Sequence, residues 1–399
     1  MFAHTPYIAL SAFDIVALTL VIGPLATILW VVPKDAREAF QSRLWRLTGG
    51  ALFALTLSSV ALLVGRTMEM SRQGLDEVAH WLPLVLRETP FGDVWLVRPV
   101  MLAMAWAAWF IGRNLEHRRA AAAFLFATAA VIAFTRSATG HPADQGSWTL
   151  PEWVDWAHLV AVSVWAGVVF TMSIAIFPRL SRERLPSSVR ANLITRLSSV
   201  ATAALICILA TGILSAYHYI GTLAALRDST YGHILIVKLA LVAVAVALGA
   251  ANRFLFVPRI RAAATAGRRP LSPPGTDERA LRLLIRSAGI ETLFLLAILA
   301  AAAVLLHGMP PREMDHAIGG AMARASRPAH PAGARRVTLR RTLAHRPQLR
   351  HLISTVRYGV LPMWTSASTR PHTGRPPSRY RFSGQRSGEM GQAPRGLRV

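Results

Sequence analysis

Five histidines fall at the ends of five different apolar runs: His141, His158, His218, His233 and His307. Two methionines, Met68 and Met70, form a Met-x-Met just beyond the end of a sixth run. Neutral imidazole accepts copper in either oxidation state, and thioether selects copper(I). Cys207 is the single cysteine, so neither an intramolecular disulfide framework nor a CxxC metal or redox motif exists in this chain. His and Met would therefore have to do any soft-metal work. An interfacial histidine also serves as an anchor and a Met-x-Met as packing, so a bound metal and a structural placement both stand at this stage. The same histidines could instead ligate a haem, which needs two of them at matched depth on facing helices.

Four charged residues lie within apolar runs or near their ends: Asp14, Arg98, Lys238 and Glu291. Such groups are rare in a bilayer, usually paired, and functional by default. Arg98 and Lys238 enter their runs by about 6–9 Å at the helical rise. They can snorkel to the interface, or they can compensate charge or couple to protons while an ion passes. Glu291 falls near the inner end of the last run, where it can reach the cytoplasm. Trp165 shares a helical face with His158 and Val162 at i, i+4 and i+7. Gly167 permits close approach of a neighbouring helix.

The elements that must position these residues follow from composition. Of 399 residues, 53% are hydrophobic and 16% charged, with mean hydropathy +0.39. Soluble domains carry about a quarter charged residues, so the chain reads as a polytopic membrane protein. Eight apolar runs approach the ~20 residues of a spanning helix, at about 7–32, 47–66, 95–112, 120–137, 156–178, 197–219, 234–252 and 287–307. No basic segment precedes the first run, so it is read as a true span rather than a cleavable leader.

The formal charge of +24 suggests nucleic acid until it is divided. Residues 312–399 hold 17 Arg, no Lys and 3 acids, a net +14. This tail is rich in Pro, Ser, Gly and His, has no spanning run, and reads as disordered. In the first 311 residues, 20 of 27 cations fall in the connections 33–46, 113–119, 179–196 and 253–286. The positive-inside rule puts those connections in the cytoplasm and both termini outside. The five span-end histidines then share the outer side. Trp148, Trp153, Trp156, Tyr217, Tyr219 and Tyr231 form an aromatic belt there.

The chain also repeats itself. Leu86 to Arg98 aligns with Leu226 to Lys238 at an offset of 140 residues without a gap. Each segment enters a span through aromatic-Gly and then places a cation. Asp14 to Gly23 sits against His158 to Gly167, and Pro33 near the equivalent of Pro178. Four spans per repeat leave both halves in the same orientation, with a pseudo-twofold along the membrane normal. The expected fold is an all-α polytopic membrane protein: a first four-helix repeat over 1–138, a second over 139–311, and the tail 312–399.

Trp156-Ala157-His158 followed by Val164-Trp165-Ala166-Gly167 resembles the His…Trp-x-Gly opening of the copper resistance D family. Thr211-Gly212, Thr230-Tyr231-Gly232-His233, Val237-Lys238-Leu239, Ala251-Asn252-Arg253, Glu291 and Pro310-Pro311 continue that pattern in order. The likeness is good over about 140–311 and weaker in the first half. Ala166-Gly167 stands where the family often has two glycines, and the tail has no counterpart. The resemblance implies an eight-helix bacterial inner-membrane protein that moves copper, commonly inward, from a periplasmic copper chaperone. His158, His233, Lys238, Trp165, Gly167 and Glu291 match its motif positions. No GxxxxGK[ST] phosphate loop is present to power a pump. The expectation is a non-enzymatic copper permease or copper-tolerance protein whose partners are the ion and the bilayer; a membrane b-type cytochrome is the alternative.

Overall fold

A computed structural model of the chain describes residues 5–139, 148–180, 185–219, 227–266 and 276–306. His141, His307 and the tail 312–399 lie outside the described residues, as does the side chain of His218. Every regular element among the described residues is helical, and eight helices are long and apolar enough to cross a membrane. They are Tyr7–Val31, Lys34–Ser71, Pro90–Ile111, Arg118–Ser137, Leu150–Leu180, Ser187–Tyr217, Thr230–Ala262 and Arg279–Leu305, here numbered first to eighth. In lipid the backbone must satisfy its own hydrogen bonds, and a helix does so within one segment.

The second, sixth and eighth helices are longer than their apolar runs, extending toward the basic connections through Arg37–Leu47, Ser187–Arg196 and Thr276–Arg286. Hydropathy marks only the lipid-facing length of a helix, so these charged turns escape it. One helix was not anticipated. Val78–Glu88 follows the second span at the end opposite the basic connections. Its apolar positions are too few to span, and only Val78 and Val85 are buried.

Span starts are capped in the same way in both halves. The Thr89 hydroxyl accepts the Gly92 N–H at 3.2 Å, opening the third span. The Ser229 hydroxyl accepts the Gly232 N–H at 3.0 Å, opening the seventh. These pairs are 140 residues apart, so the aligned segments share their capping chemistry as well as their residue types.

Packing follows a matching rule. The first span lies against the second, fourth, fifth and eighth. The fifth lies against the sixth, eighth, first and fourth. The third pairs with the fourth and the seventh with the eighth. Each neighbour relation of one half recurs in the other when four is added to both numbers, which is consistent with two repeats in the same orientation.

The first and fifth spans meet at Gly23 and Gly167, positions 144 residues apart. A Cβ on Gly167 would lie 2.6 Å from the Gly23 Cα and 2.6 Å from the Thr19 carbonyl oxygen. One turn away, the hydroxyls of Thr19 and Ser163, also 144 apart, are 3.5 Å from each other. Small residues let helix backbones approach in a membrane. Self-matching contact of equivalent positions is what a twofold relation between two segments requires. Both helices then pass through a π-turn, Thr27–Val31 and Met172–Ile176. A third π-turn, Asn252–Phe256, interrupts the seventh span, whose α-helix resumes at Val257.

Candidate functional site

The two halves place different chemistry at matched positions. In the first half Asp14 is fully buried, and its carboxylate is closed by two guanidinium groups. Arg98 Nη2 is 2.6 Å from Oδ1, and Arg136 Nη1 is 3.1 Å from Oδ2. The Ser58 hydroxyl donates to Oδ1 at 2.7 Å, and Arg98 Nε donates to Ser59 Oγ at 2.9 Å. The Arg98 guanidinium also lies 4.9 Å from the Trp95 ring centroid. The residues come from the first four spans. Arg98 is 1% exposed, so it does not snorkel. The sequence shows Asp14 and Arg98 only as isolated charges; their partnership needs the first and third spans brought together.

In the second half, His158 takes the place of Asp14, and Lys238 the place of Arg98. His158 lies eight residues beyond Leu150, about 12 Å into the fifth span at the helical rise. Its Nδ1 is 2.9 Å from Thr211 Oγ1 on the sixth span. Gly212 keeps the space beside it open: a Cβ there would stand 3.7 Å from His158 Cε1. Lys238 is half-buried in the seventh span. Asp155 accepts the Ser137 hydroxyl at 2.7 Å. An imidazole with a hydroxyl partner thus stands where the first half has a carboxylate locked by two arginines.

Beyond His158, Trp165 is 4% exposed and forms one wall of a cavity of about 310 Å³ between the fifth, sixth, seventh and eighth spans. Its lining is mostly apolar. Glu291 and Arg253 are its only charged residues, with Asn252, Ser198 and Thr202 as polar neighbours. Asn252 Nδ2 donates to Glu291 Oε2 at 3.1 Å. Arg253 Nη1 reaches Ser198 Oγ at 2.9 Å and Thr202 Oγ1 at 3.0 Å, tying the seventh span to the sixth.

Glu291 is 4% exposed and lies twelve residues from Arg279 and fourteen from Leu305. It is therefore near the middle of the helix, and four residues into the apolar run that begins at about 287, on the inner part of that run. The eighth helix begins at Thr276, well before its apolar stretch, and those first turns carry Arg279, Arg282 and Arg286.

Of the remaining anticipated ligands, the structure describes His233, Met68 and Met70. His233 is exposed in the first turn of the seventh span. Met68 and Met70 are half-buried at the end of the second span, flanking Glu69, which pairs with Arg66 at 2.7 Å. Among the described residues, no group of three or more His, Cys, Asp or Glu side chains converges to hold a metal ion. Trp148, Trp153 and Trp156 cluster on Phe134 with centroids 5.0–6.4 Å apart. Trp156 also donates to the Ala130 carbonyl at 2.8 Å, so it docks the fifth span on the fourth.

Comparison with known proteins agrees with this architecture. The family model for copper resistance protein D matches residues 191–305. The model for the copper resistance protein D-like N-terminal domain matches residues 1–150. His158, Trp165 and Gly167 fall between the two matches. Copper resistance protein D of Pseudomonas syringae pv. tomato is 28% identical over 227 residues, covering 55% of this chain and 72% of that protein. Copper transport protein CutJ of Bacillus subtilis (strain 168) is 28% identical over 233 residues, covering 56% of this chain and 41% of its own length. No solved structure matches the chain. Eight membrane-length helices accompany these two family matches: over residues 1–150 and 191–305 the chain is similar to the copper resistance protein D family.

Proposed function

We propose that this protein carries copper across the bacterial inner membrane through its second four-helix half, 139–311, while the first half, 1–138, serves as its frame. The observation that supports this reading is the contrast at matched positions. Asp14 is closed by Arg98 and Arg136, whereas His158 keeps a ring held by Thr211 beside Gly212. An imidazole fixed through one nitrogen by a neighbouring hydroxyl presents the other as a metal ligand. In this reading His158 Nε2 receives the ion at the outer end, and Trp165 separates that position from the cavity below.

His233, His141, His218 and His307, with Met68 and Met70, then act as outer capture groups that hand copper to His158. A periplasmic copper chaperone is the proposed donor, and the proposed direction is inward. Both names of the relatives, copper resistance and copper transport, fit a protein whose resident chemistry is passage of the ion.

Purified protein in proteoliposomes tests the proposal. Wild type accumulates copper, and His158→Ala loses at least about tenfold of the rate, as expected when a single metal-positioning ligand is removed. Copper accumulation unchanged by His158→Ala overturns the site. A Soret band with near-stoichiometric haem in the wild-type protein overturns the transport reading in favour of a cytochrome.

A further inference from the structure

We propose that Glu291 is a proton-carrying site that couples movement of protons to passage of the cargo cation through the inner half of the second bundle. This rests on the transport reading above and extends it.

The argument begins with the cost of a buried charge. An ionised carboxylate buried within a bilayer-spanning helix is expensive unless it is paired and fully hydrogen-bonded. Asp14 meets that demand with two guanidinium groups and a serine. Glu291 does not: the hydrogen bond described for it is the Asn252 amide on Oε2. Its Oε1 is the nearest side-chain atom to Gly249, where an added Cβ would stand 3.5 Å away. No ion pair to Glu291 is found among the described residues.

The charged and polar groups facing it are few. Among the described residues lining the cavity beside it, the seventh span presents Asn252 and Arg253, the sixth Ser198 and Thr202, and the fifth the Trp165 indole; on the neighbouring residue, Thr292 Oγ1 meets Ser173 Oγ of the fifth span at 3.1 Å. Arg253 is the one cation of that lining, and its Nη1 is engaged by Ser198 and Thr202 rather than by the carboxylate. On the eighth helix itself, Arg282 and Arg286 are exposed. A carboxyl so placed carries little penalty when neutral and a large one when charged, unless a cation stands beside it.

A second cavity adjoins the first. Its volume is about 500 Å³; it shares Ser198, Arg253, Phe254 and Val257 with the first and continues to Arg261. It lies toward the basic connections, the inner side by the positive-inside rule. The seventh span's π-turn, Asn252–Phe256, forms the boundary between the two cavities. Single π-turns inside helices are frequent at functional positions.

The cycle balances in charge and atoms. A hydronium ion at the inner side gives its proton to Glu291, forming an O–H bond and leaving water. When one copper(I) ion enters the cavity from outside, that O–H breaks and the proton passes to water on the outer side as hydronium. The ion's single positive charge replaces the proton's beside the carboxylate, then departs inward, and the next proton restores the acid. A carboxylate is a hard ligand and copper(I) a soft ion, so Glu291 holds the proton firmly and the ion only in transit.

The test uses the full chain in proteoliposomes with an entrapped pH indicator and copper(I) added outside. Wild type is expected to take up copper with proton movement in the opposite direction. Glu291→Gln is expected to lower uptake at least about tenfold and abolish the proton signal, while copper affinity in detergent stays within about twofold. Glu291→Asp restores part of both. Infrared difference spectra supply a readout independent of transport. Raising the pH should convert a protonated carboxyl band to a carboxylate band in wild type and not in Glu291→Gln. If wild type moves no copper, the transport reading fails and the infrared band decides Glu291 alone. If the band is missing, or Glu291→Gln carries copper and protons as wild type does, the inference is overturned.

Discussion

The decisive side chains come in two ionic styles. Arg98, Arg136 and Asp14 form a closed buried cluster, with both Asp14 oxygens taken by guanidinium nitrogens at 2.6 and 3.1 Å. Breaking such a cluster on one side leaves a buried charge and costs about 3–5 kcal/mol, whereas replacing partners together with apolar groups costs far less. Arg98→Met should therefore lower thermal stability of the detergent-solubilised protein sharply, and Asp14→Leu/Arg98→Met should recover much of the loss. A double-mutant cycle on melting curves reads the coupling directly. The His158–Thr211 contact at 2.9 Å is expected to orient a ligand rather than hold the fold. Thr211→Val should weaken copper binding by about 10- to 100-fold with melting little changed, and Thr211→Ser should restore it. Equilibrium competition with a copper chelator measures this. The sequence displays all of these residues, yet which charge finds a partner is invisible in it. Asp14 and Glu291 look alike on paper, each an acid in an apolar run.

At the scale of elements, the crossing of the first and fifth spans organises the bundle. Backbone meets backbone at Gly23 and Gly167, with no flexible side chain available to yield. Gly167→Val must push the two halves apart, and overpacking of this kind costs about 1–3 kcal/mol or more. We expect a lower melting temperature and loss of copper accumulation, whereas Gly50→Ala, where a Cβ meets nothing within 4 Å, leaves both unchanged. Helix existence was legible from apolar runs because every span needs roughly the same apolar length. Helix extent was not, since charged turns beyond the lipid carry no hydropathy signal. That is why the start of the eighth helix at Thr276 was not legible. The Val78–Glu88 helix escaped for a related reason: an amphipathic segment too short to span looks like a loop to a hydropathy reading.

For the whole molecule, the charge division remains the most useful figure. The cations of the first 311 residues gather in four connections, and those connections close the ends of helices at one side of the bundle. The Arg-rich tail from Arg312 carries much charge and no candidate site. A chain ending at Pro311 should keep the copper affinity and copper accumulation of the full chain, measured by metal analysis and by uptake in cells. Loss of either would assign the tail a function.

Composition, run lengths and basic connections determined the class of this protein, its eight helices and its expected orientation, because lipid imposes those features on any chain that crosses it. The internal alignment and ordered motifs also singled out His158, Lys238, Trp165 and Glu291. Only the tertiary structure decided that Asp14 is neutralised by Arg98 and Arg136, that Thr211 holds His158, and that a cavity opens beside Glu291. Pairing depends on which helices face each other and at what depth. That is set by backbone approach at Gly23 and Gly167, a contact between residues 144 positions apart that no local pattern encodes.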